Sequence, residues 1–381
     1  MSWQQGKLGD FVEFKYGKGL PERVRSPGTY KVYGSGGIVG SHNKPLIEGP
    51  GIVVGRKGTV GSVYWETDDF FPIDTTLYVL PKINIKNRFA FYLLKSLPLQ
   101  DMNTDAAVPG LNRDNALRLE VNIPTTDIQT NIVEFLSKYD DLISINNKRI
   151  ELLQKSSIEL YKEWFVQFRF PGHEHVKIID GVPEGWTAGC VGDTAKIFSG
   201  YAFKSKDWLD EGNPVIKIKN ITSNNTVDIS DCQCVDDNVA EKANKFKLSA
   251  GDMLIAMTGA TVGKVGLMPT SERAFYLNQR VGKFESKLGR GVTPLLLSFF
   301  NSDKAQSSIL NLAGGAAQPN ISAKQIESIE LTIPPETLLN TFLDETENLF
   351  SLRLNLVDQN FILTQARDLL LPKLMNGEVA V

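Results

Sequence analysis

The sequence predicts an α+β chain: two β-rich modules in pseudo-repeat, joined by two long helices that form a coiled coil. Three observations predict it. Apolar residues keep a seven-residue period through two long stretches, these stretches align with each other at an offset of 210 residues, and glycine-punctuated, strand-rich sequence precedes each of them. The expected boundaries are a first module at 1–124, a central helix at 125–170, a second module at 171–335 and a C-terminal helix at 336–381.

In the central helix Ile132, Tyr139, Asn146, Leu153 and Leu160 fall seven apart, as do Leu136, Ile143, Ile150, Ser157 and Trp164. Interleaved steps of four and three leave one narrow apolar seam, the face that a partner helix packs against. Ile123-Pro124 favours an extended chain just before it, Thr126-Asp127-Ile128-Gln129 has capping-box spacing, and Phe170-Pro171-Gly172 stops it. At about 1.5 Å per residue, some forty residues make a rod of roughly 60 Å. A single seam also suits an amphipathic helix lying on its own domain. Duplication argues for paired helices instead. Phe342, Leu349, Leu356, Leu363 and Leu370 each follow a member of the first stripe by 210 positions, and a patchier second stripe holds Thr346, Arg353, Asn360, Arg367 and Leu374. The same offset links Ala106-Ala107 to Ala316-Ala317, Pro109 to Pro319, and Ile123-Pro124 to Ile333-Pro334. Asn146, Ser157 and Asn360 interrupt the seam, where a polar group fixes register at some cost in stability. Trp164 is assigned to the core; Phe165, Phe168 and Phe170 beside it suit either core or a docking patch.

Of the 381 residues, 42% are hydrophobic and 22% charged, a globular profile with apolar material for two cores. No basic region followed by an apolar run opens the chain, and no stretch approaches about 18 consecutive apolar residues, so a cytoplasmic protein without membrane association is expected. Cys190, Cys232 and Cys234 are odd in number and lack CxxC spacing, against a disulfide framework or zinc site. His173-Glu174-His175 reads as a solvated linker. The net charge of -3 does not suggest a nucleic-acid binder, but it is uneven: residues 1–125 carry 15 Lys+Arg against 12 Asp+Glu, and residues 336–381 carry 3 against 7.

Within the first module, Gly9 to Pro21 reads as a strand running into a glycine loop with two lysines. Lys31-Val32-Tyr33 leads into Gly34-Ser35-Gly36-Gly37-Ile38-Val39-Gly40, whose glycines serve tight turns, since no dinucleotide fingerprint or helix follows. Ile52 to Trp65 reads as two strands around a turn carrying Arg56-Lys57. That turn is either a solvated hairpin tip or a pair of cations able to reach phosphates and base edges. Phe70 to Leu80 reads as a further strand and Phe89 to Leu99 as a short helix. The second module replays this plan: Gly192-Asp193 matches Gly9-Asp10 at an offset of 183, and Thr261-Val262-Gly263 matches Thr59-Val60-Gly61 at 202. Val215 to Ile221 reads as a strand with alternating lysines, and Leu248 to Gly266 as turn, strand, glycine loop and strand. Gly259 to Lys264 lacks the spacing and the hydroxyl of a phosphate-binding loop. No Asn-Pro-Pro-aromatic tetrad, nuclease motif or glycine loop suited to S-adenosylmethionine is present, which argues against a catalytic chain.

Glu159 to Gly172 at the end of the first helix and Arg367 to Glu378 at the end of the second carry a resemblance to a known family. So do Gly34 to Gly40, Val54-Gly55-Arg56-Lys57-Gly58, Gly251 to Gly259 and Asn278-Gln279-Arg280. Duplicated and in this order, they resemble the specificity subunit of type I restriction-modification systems over essentially the whole chain. The resemblance implies two target-recognition domains, each reading half of a bipartite double-stranded DNA site, joined by two helices that pack as an antiparallel coiled coil and set the gap. It also implies docking of two methyltransferase subunits, with restriction subunits joining afterwards. S-adenosylmethionine, ATP and Mg would then belong to partner subunits, with no cofactor or metal in this chain. Because the modules differ, an asymmetric site is expected. On chemistry, the DNA-binding candidates are Lys15, Tyr16, Lys18, Arg23, Arg25, His42, Arg56, Lys57 and Thr59 in the first module. In the second they are Tyr201, Lys204, Lys206, Lys217, Lys219, Asn220, Thr258, Lys264, Gln279 and Arg280. Arg, Asn and Gln suit paired hydrogen bonds to base edges, whereas Lys more often positions the backbone. The competing reading is a DNA-independent scaffold, two binding modules on a coiled-coil strut.

Overall fold

The structure, a computed structural model, describes residues 3–82, 84–102, 110–314 and 319–381. The matched Ala106-Ala107, Pro109 and Ala316-Ala317 lie outside the described residues. The chain forms two compact units, one of Met1–Ile143 with Leu363–Val381 and one of Ser144–Ile362. Each therefore contains a globular module and a part of both long helices.

The first unit is built from β1 (Trp3–Lys7), α1 (Leu8–Phe11), β2 (Val12–Tyr16), β3 (Tyr30–Gly34), β4 (Gly37–His42), β5 (Gly51–Gly55), β6 (Val63–Glu66), β7 (Phe70–Pro72), β8 (Thr76–Pro81), α2 (Asn87–Ser96), α3 (Arg113–Leu117) and β9 (Glu120–Pro124). One sheet has the order β2-β8-β5-β6, all antiparallel; a second has the order β4-β3-β7, with β3 and β7 parallel; β1 pairs with β9. The central strand β5 is buried along its whole length, and α2 closes its core with Phe89, Tyr92 and Leu94. The Gly9 to Pro21 segment begins as a helical turn rather than a strand, because the Asp10 carboxylate takes the Lys7 N–H at 2.8 Å. The single strand expected over Phe70 to Leu80 is two, since Pro72 has no N–H to continue a ladder and the chain crosses to the other sheet at 73–75. Glu66, 2% exposed, receives the Tyr33 hydroxyl, the Asp68 N–H and the Lys31 ammonium. Burial pushes its carboxyl up, but these donors together hold it below the ordinary value.

The helix α4 (Thr126–Tyr161) starts where the heptads predict, but Gln129 is not spent on a capping box. It is fully buried and looks outward: its Oε1 accepts the Lys86 N–H, and its Nε2 donates to the Asn84 and Pro124 carbonyls. At the other end the regular α-helix stops at Tyr161, short of Phe170. One π turn, Lys162–Val166, follows, and Phe168 has φ +56°. The wider turn lets Trp164 and Phe165 both bury, against Phe342 and Trp186.

The second unit repeats the plan with β10 (Ile178–Ile179), β11 (Val182–Pro183), β12 (Thr187–Cys190), α5 (Val191–Thr194), β13 (Ala195–Ser199), β14 (Asn213–Ile216), β15 (Cys234–Val235), α6 (Asp237–Lys242), β16 (Lys247–Leu248), β17 (Met253–Ala256), β18 (Val265–Leu267), β19 (Phe275–Leu277), β20 (Val281–Ser286), α7 (Thr293–Phe300), α8 (Asp303–Leu312), α9 (Ala323–Glu327), β21 (Glu330–Ile333) and α10 (Glu336–Met375). Its antiparallel sheet β13-β20-β17-β18 has the strand order of the first, β12 pairs with β21 as β1 does with β9, and β14 runs parallel to β19 as β3 does to β7. The strand expected over Val215 to Ile221 ends at Ile216. Asn220 Oδ1 accepts the Lys217 N–H at 2.9 Å and folds 218–220 into a 3-10 turn, so Lys217 and Lys219 do not alternate along a strand.

None of the seam side chains Ile132, Leu136, Tyr139, Ile143, Asn146, Ile150, Leu153, Leu160, Trp164, Phe342, Leu349, Leu356, Leu363 and Leu370 is exposed. In the first unit Ile132 and Leu136 of α4 share a core with Leu371 and Leu374 of α10. In the second, Trp164 lies beside Phe342 (ring centroids 5.5 Å) and Asn360 Nδ2 donates to Asn147 Oδ1 at 2.9 Å, so these segments run antiparallel. In the patchier stripe of α10, Thr346, Arg353 and Leu374 are buried as well, and Asn360 and Arg367 are half-buried. Arg353, 2% exposed, donates through Nη2 to the carbonyls of Asn224 and Asn225, and Arg367 pairs with Asp140 at 2.8 Å. Within each unit, therefore, the two helical segments pack on one another and on the module of that unit.

Candidate nucleic-acid interface

Antiparallel pairing collects specific chain ends. Tyr16 at the end of β2 pairs with Leu77 at the start of β8, Gly55 at the end of β5 pairs with Thr76, and Val54 pairs with Val63 at the start of β6. The loops 17–18, 56–62 and 73–75 therefore emerge at one end of the sheet. The parallel strands β3 and β7 finish at the same place. Ser35, after β3, donates to the Thr75 carbonyl, and the Lys18 N–H donates to the Pro72 carbonyl at 3.0 Å. Gly17 is required there, because a Cβ would lie 2.2 Å from the Ile73 carbonyl oxygen.

This geometry brings together Tyr16, Lys18, Arg56, Lys57 and Thr59 of the sequence-derived set. Tyr16 is 52% exposed, and the Arg56 guanidinium carbon lies 5.1 Å from the centroid of its ring. Arg56 Nη2 donates to the Asp74 carbonyl at 2.8 Å, which fixes the cation over the ring. Lys57 is anchored through its backbone N–H to the Thr75 carbonyl while its side chain is exposed; Lys18 and Thr59 are exposed too. Sequence reasoning missed Arg113, whose guanidinium carbon lies 5.4 Å from the same ring. No local motif marks it. The Leu111 N–H donates to the Arg56 carbonyl at 2.8 Å, and that tertiary contact brings α3 alongside.

The second unit presents the corresponding end of its sheet, where β13 ends, β17 ends and β20 begins. Tyr201, Thr258, Lys264, Gln279 and Arg280 gather there. The Gln279 N–H donates to the Tyr201 carbonyl at 2.9 Å, the Met257 N–H to the Arg280 carbonyl at 3.0 Å, and the Arg280 N–H to Asn278 Oδ1 at 3.1 Å. Gln279, Arg280 and Lys264 are exposed; Thr258 Oγ1 is enclosed without a hydrogen-bond partner among the described residues. Lys217 and Lys219 lie just past the end of β14. Lys217 sits over the Trp208 ring, with its ammonium 3.2 Å from the centroid, and contacts Gln233. Burial first, and the Lys219 charge second, lower its pKa.

Other candidates have different commitments. Lys15 pairs with Glu13 at 3.7 Å, and Arg25 donates to the Leu20 and Val39 carbonyls. His42 Nδ1 accepts the Ser26 N–H, and Lys219 pairs with Asp231 at 2.9 Å. Arg23, Lys204 and Lys206 stand exposed on short 3-10 turns. Asn220 is 3% exposed, and its amide donates to the Asp228 and Asp231 carbonyls. Among the described residues no group of three His, Cys, Asp or Glu side chains is placed to hold a metal ion, and no helix is long and apolar enough to cross a membrane.

A sequence profile described as "Type I restriction modification DNA specificity domain" matches residues 1–155 and again 183–337. The type I restriction enzyme MjaIX specificity subunit of Methanocaldococcus jannaschii is 27% identical over 318 residues, covering 80% of this chain and 71% of that one. The type I restriction enzyme HindI specificity subunit of Haemophilus influenzae is 22% identical over 394 residues, covering 85% of each. The crystal structure of a type-I restriction-modification system S subunit from M. genitalium shares the fold, with a TM-score of 0.54 over 98% of this chain and 96% of that chain at 18% identity.

Proposed function

This chain belongs to the family of type I restriction modification DNA specificity domains, and from that premise we propose that it is the non-catalytic subunit that reads an asymmetric, two-part DNA sequence for a methyltransferase and restriction complex. The observation that carries this reading is the repeated sheet end. Two modules of one topology expose polar and basic side chains from corresponding loops, yet differ in which residues they expose. Arg56 and Lys57 follow β5 in the first, where Met257 and Thr258 follow β17 in the second. Gln279 and Arg280 precede β20, where Asp74 and Thr75 precede β8. Equal scaffolds with unequal donors suit two unequal half-sites.

In this reading the modules span 1–124 and 171–335, and the helical segments 125–170 and 336–381 set the half-site spacing. The α-helices have 36 and 40 residues, or roughly 54–60 Å at about 1.5 Å per residue, longer than one DNA turn of about 34–36 Å. Two methyltransferase subunits dock on the helices and restriction subunits join them, in the cytoplasm. S-adenosylmethionine, ATP and Mg act in those partners. Tyr16, Lys18, Arg56, Lys57 and Thr59 contact DNA in the first module; Tyr201, Lys217, Lys264, Gln279 and Arg280 do so in the second. Asn220 is left out because its amide is committed within its own loop, and Thr258 because its hydroxyl is enclosed.

The test is selection from random duplexes by the purified chain together with its methyltransferase partner. One asymmetric two-part sequence should be enriched, with affinity falling as salt rises. Absence of enrichment would favour the DNA-independent scaffold.

A further inference from the structure

Arg113 opens α3 on a fixed piece of backbone. Asn112 Oδ1 accepts the N–H groups of Asp114 and Asn115 at 3.0 and 3.1 Å, Leu111 and Ala116 are buried, and the Leu111 N–H is bonded to the Arg56 carbonyl. The Arg113 side chain is 38% exposed. Its Nε donates to Asp114 Oδ1 at 3.1 Å and its guanidinium carbon lies 5.4 Å from the Tyr16 ring centroid. Among the described residues, no group accepts from its two terminal nitrogens. A carboxylate on Nε and an aromatic ring against the guanidinium restrict its rotation and leave Nη1 and Nη2 as a free, planar fork. That fork matches the O6 and N7 acceptors which guanine presents in the major groove.

Arg56, on the same ring, is differently committed. Its Nη2 is held by the Asp74 carbonyl and its Nε is enclosed without a partner, so it lacks an unencumbered pair of donors. In the second module the residue 210 positions after Arg113 is Ala323, which offers no donor. A reader at this place therefore belongs to the first module alone.

Resting on the functional reading above, we propose that Arg113 reads a guanine in the half-site of the first module, pairing Nη1 and Nη2 with O6 and N7 of that base. Tyr16 and Asp114 position the guanidinium. The anionic phosphate backbone is the other partner a free guanidinium takes, and the two make different predictions.

The experiment uses the full chain assembled with its methyltransferase subunits, as wild type, Arg113→Ala and Arg113→Lys. Methylation-aware sequencing reads the motif, and binding is measured on duplexes substituted at each position. For the wild type, one guanine in one half-site is fixed. Arg113→Ala lowers affinity for the cognate site on the order of 10–100-fold and brings the four bases at that position close to equality, with the other half-site unchanged. Arg113→Lys keeps the charge but loses the fork, and relaxes the same position in a chain of wild-type thermal stability. Equal weakening on all sequences with a salt slope shallower by about one makes Arg113 a phosphate contact and overturns the proposal. Unaltered specificity in both variants also overturns it. A wild-type complex with no motif at all overturns the functional reading and this proposal with it.

Discussion

Asp140→Ala is expected to destabilise the first unit by about 3–5 kcal/mol, the cost of removing one partner from a buried ion network. The Asp140 carboxylate receives Arg88 Nη2 at 2.7 Å, the Tyr92 hydroxyl at 2.6 Å and Arg367 Nη1 at 2.8 Å. The three charged side chains are only 13–18% exposed. Tyr92 is pushed well above the ordinary tyrosine range, first by burial and then by its bond to this carboxylate. Without Asp140, two guanidiniums remain close together in a poorly solvated place, beside Lys95, whose pKa is already lowered by burial and then by Arg367. Because Asp140 lies on α4, Arg88 and Tyr92 on α2, and Arg367 on α10, one substitution loosens three elements. Chemical denaturation of the purified chain measures the effect. A loss below about 1 kcal/mol would mean that apolar packing alone holds these helices.

Arg56→Ala combined with Lys57→Ala is expected to weaken DNA binding on the order of 10–100-fold near 0.1 M salt, and to flatten its salt dependence. Neutralising one phosphate-bound cation reduces the logarithmic salt slope by about 0.9, so the double substitution removes up to about 1.8. The effect follows from the setting of the pair. Arg56 is fixed between the Tyr16 ring and the Asp74 carbonyl, and the Lys57 backbone is pinned while its ammonium reaches into solvent. Binding titrations at several salt concentrations, on the complex with its methyltransferase partner, separate the outcomes. Unchanged affinity and slope would remove both residues from the interface.

The parts of the fold that were legible in sequence are those with a period. Heptads mark both helices, and α4 and α10 begin one repeat offset apart because the strands before them, β9 and β21, are also duplicated at 210. What the period could not show is the second packing face. Arg353 and Arg367 look like flaws in an apolar stripe, yet the first is buried and the second mostly so, because loop carbonyls from 224–225 and the Asp140 carboxylate reach them. Burial lowers the Arg353 pKa to about 10. Residue chemistry alone does not show which groups the fold has already engaged. Arg25, His42 and Asn220 carry suitable donors and acceptors, but backbone groups of the strands and loops packed beside them use those groups. Arg113 was invisible for the opposite reason: its role depends on a tertiary contact between α3 and the hairpin after β5. Local spacing reveals hydrogen-bonding capacity; only the folded chain shows which capacity is left over.

The measurement that tests the DNA-reading role most directly is methylation-aware genome sequencing of the host with and without this gene. Deletion is expected to abolish methylation at one asymmetric two-part motif, and reintroduction of the gene to restore it. A methylome unchanged by deletion, in a host whose methyltransferase subunit is expressed and which carries no other specificity subunit, would contradict that role.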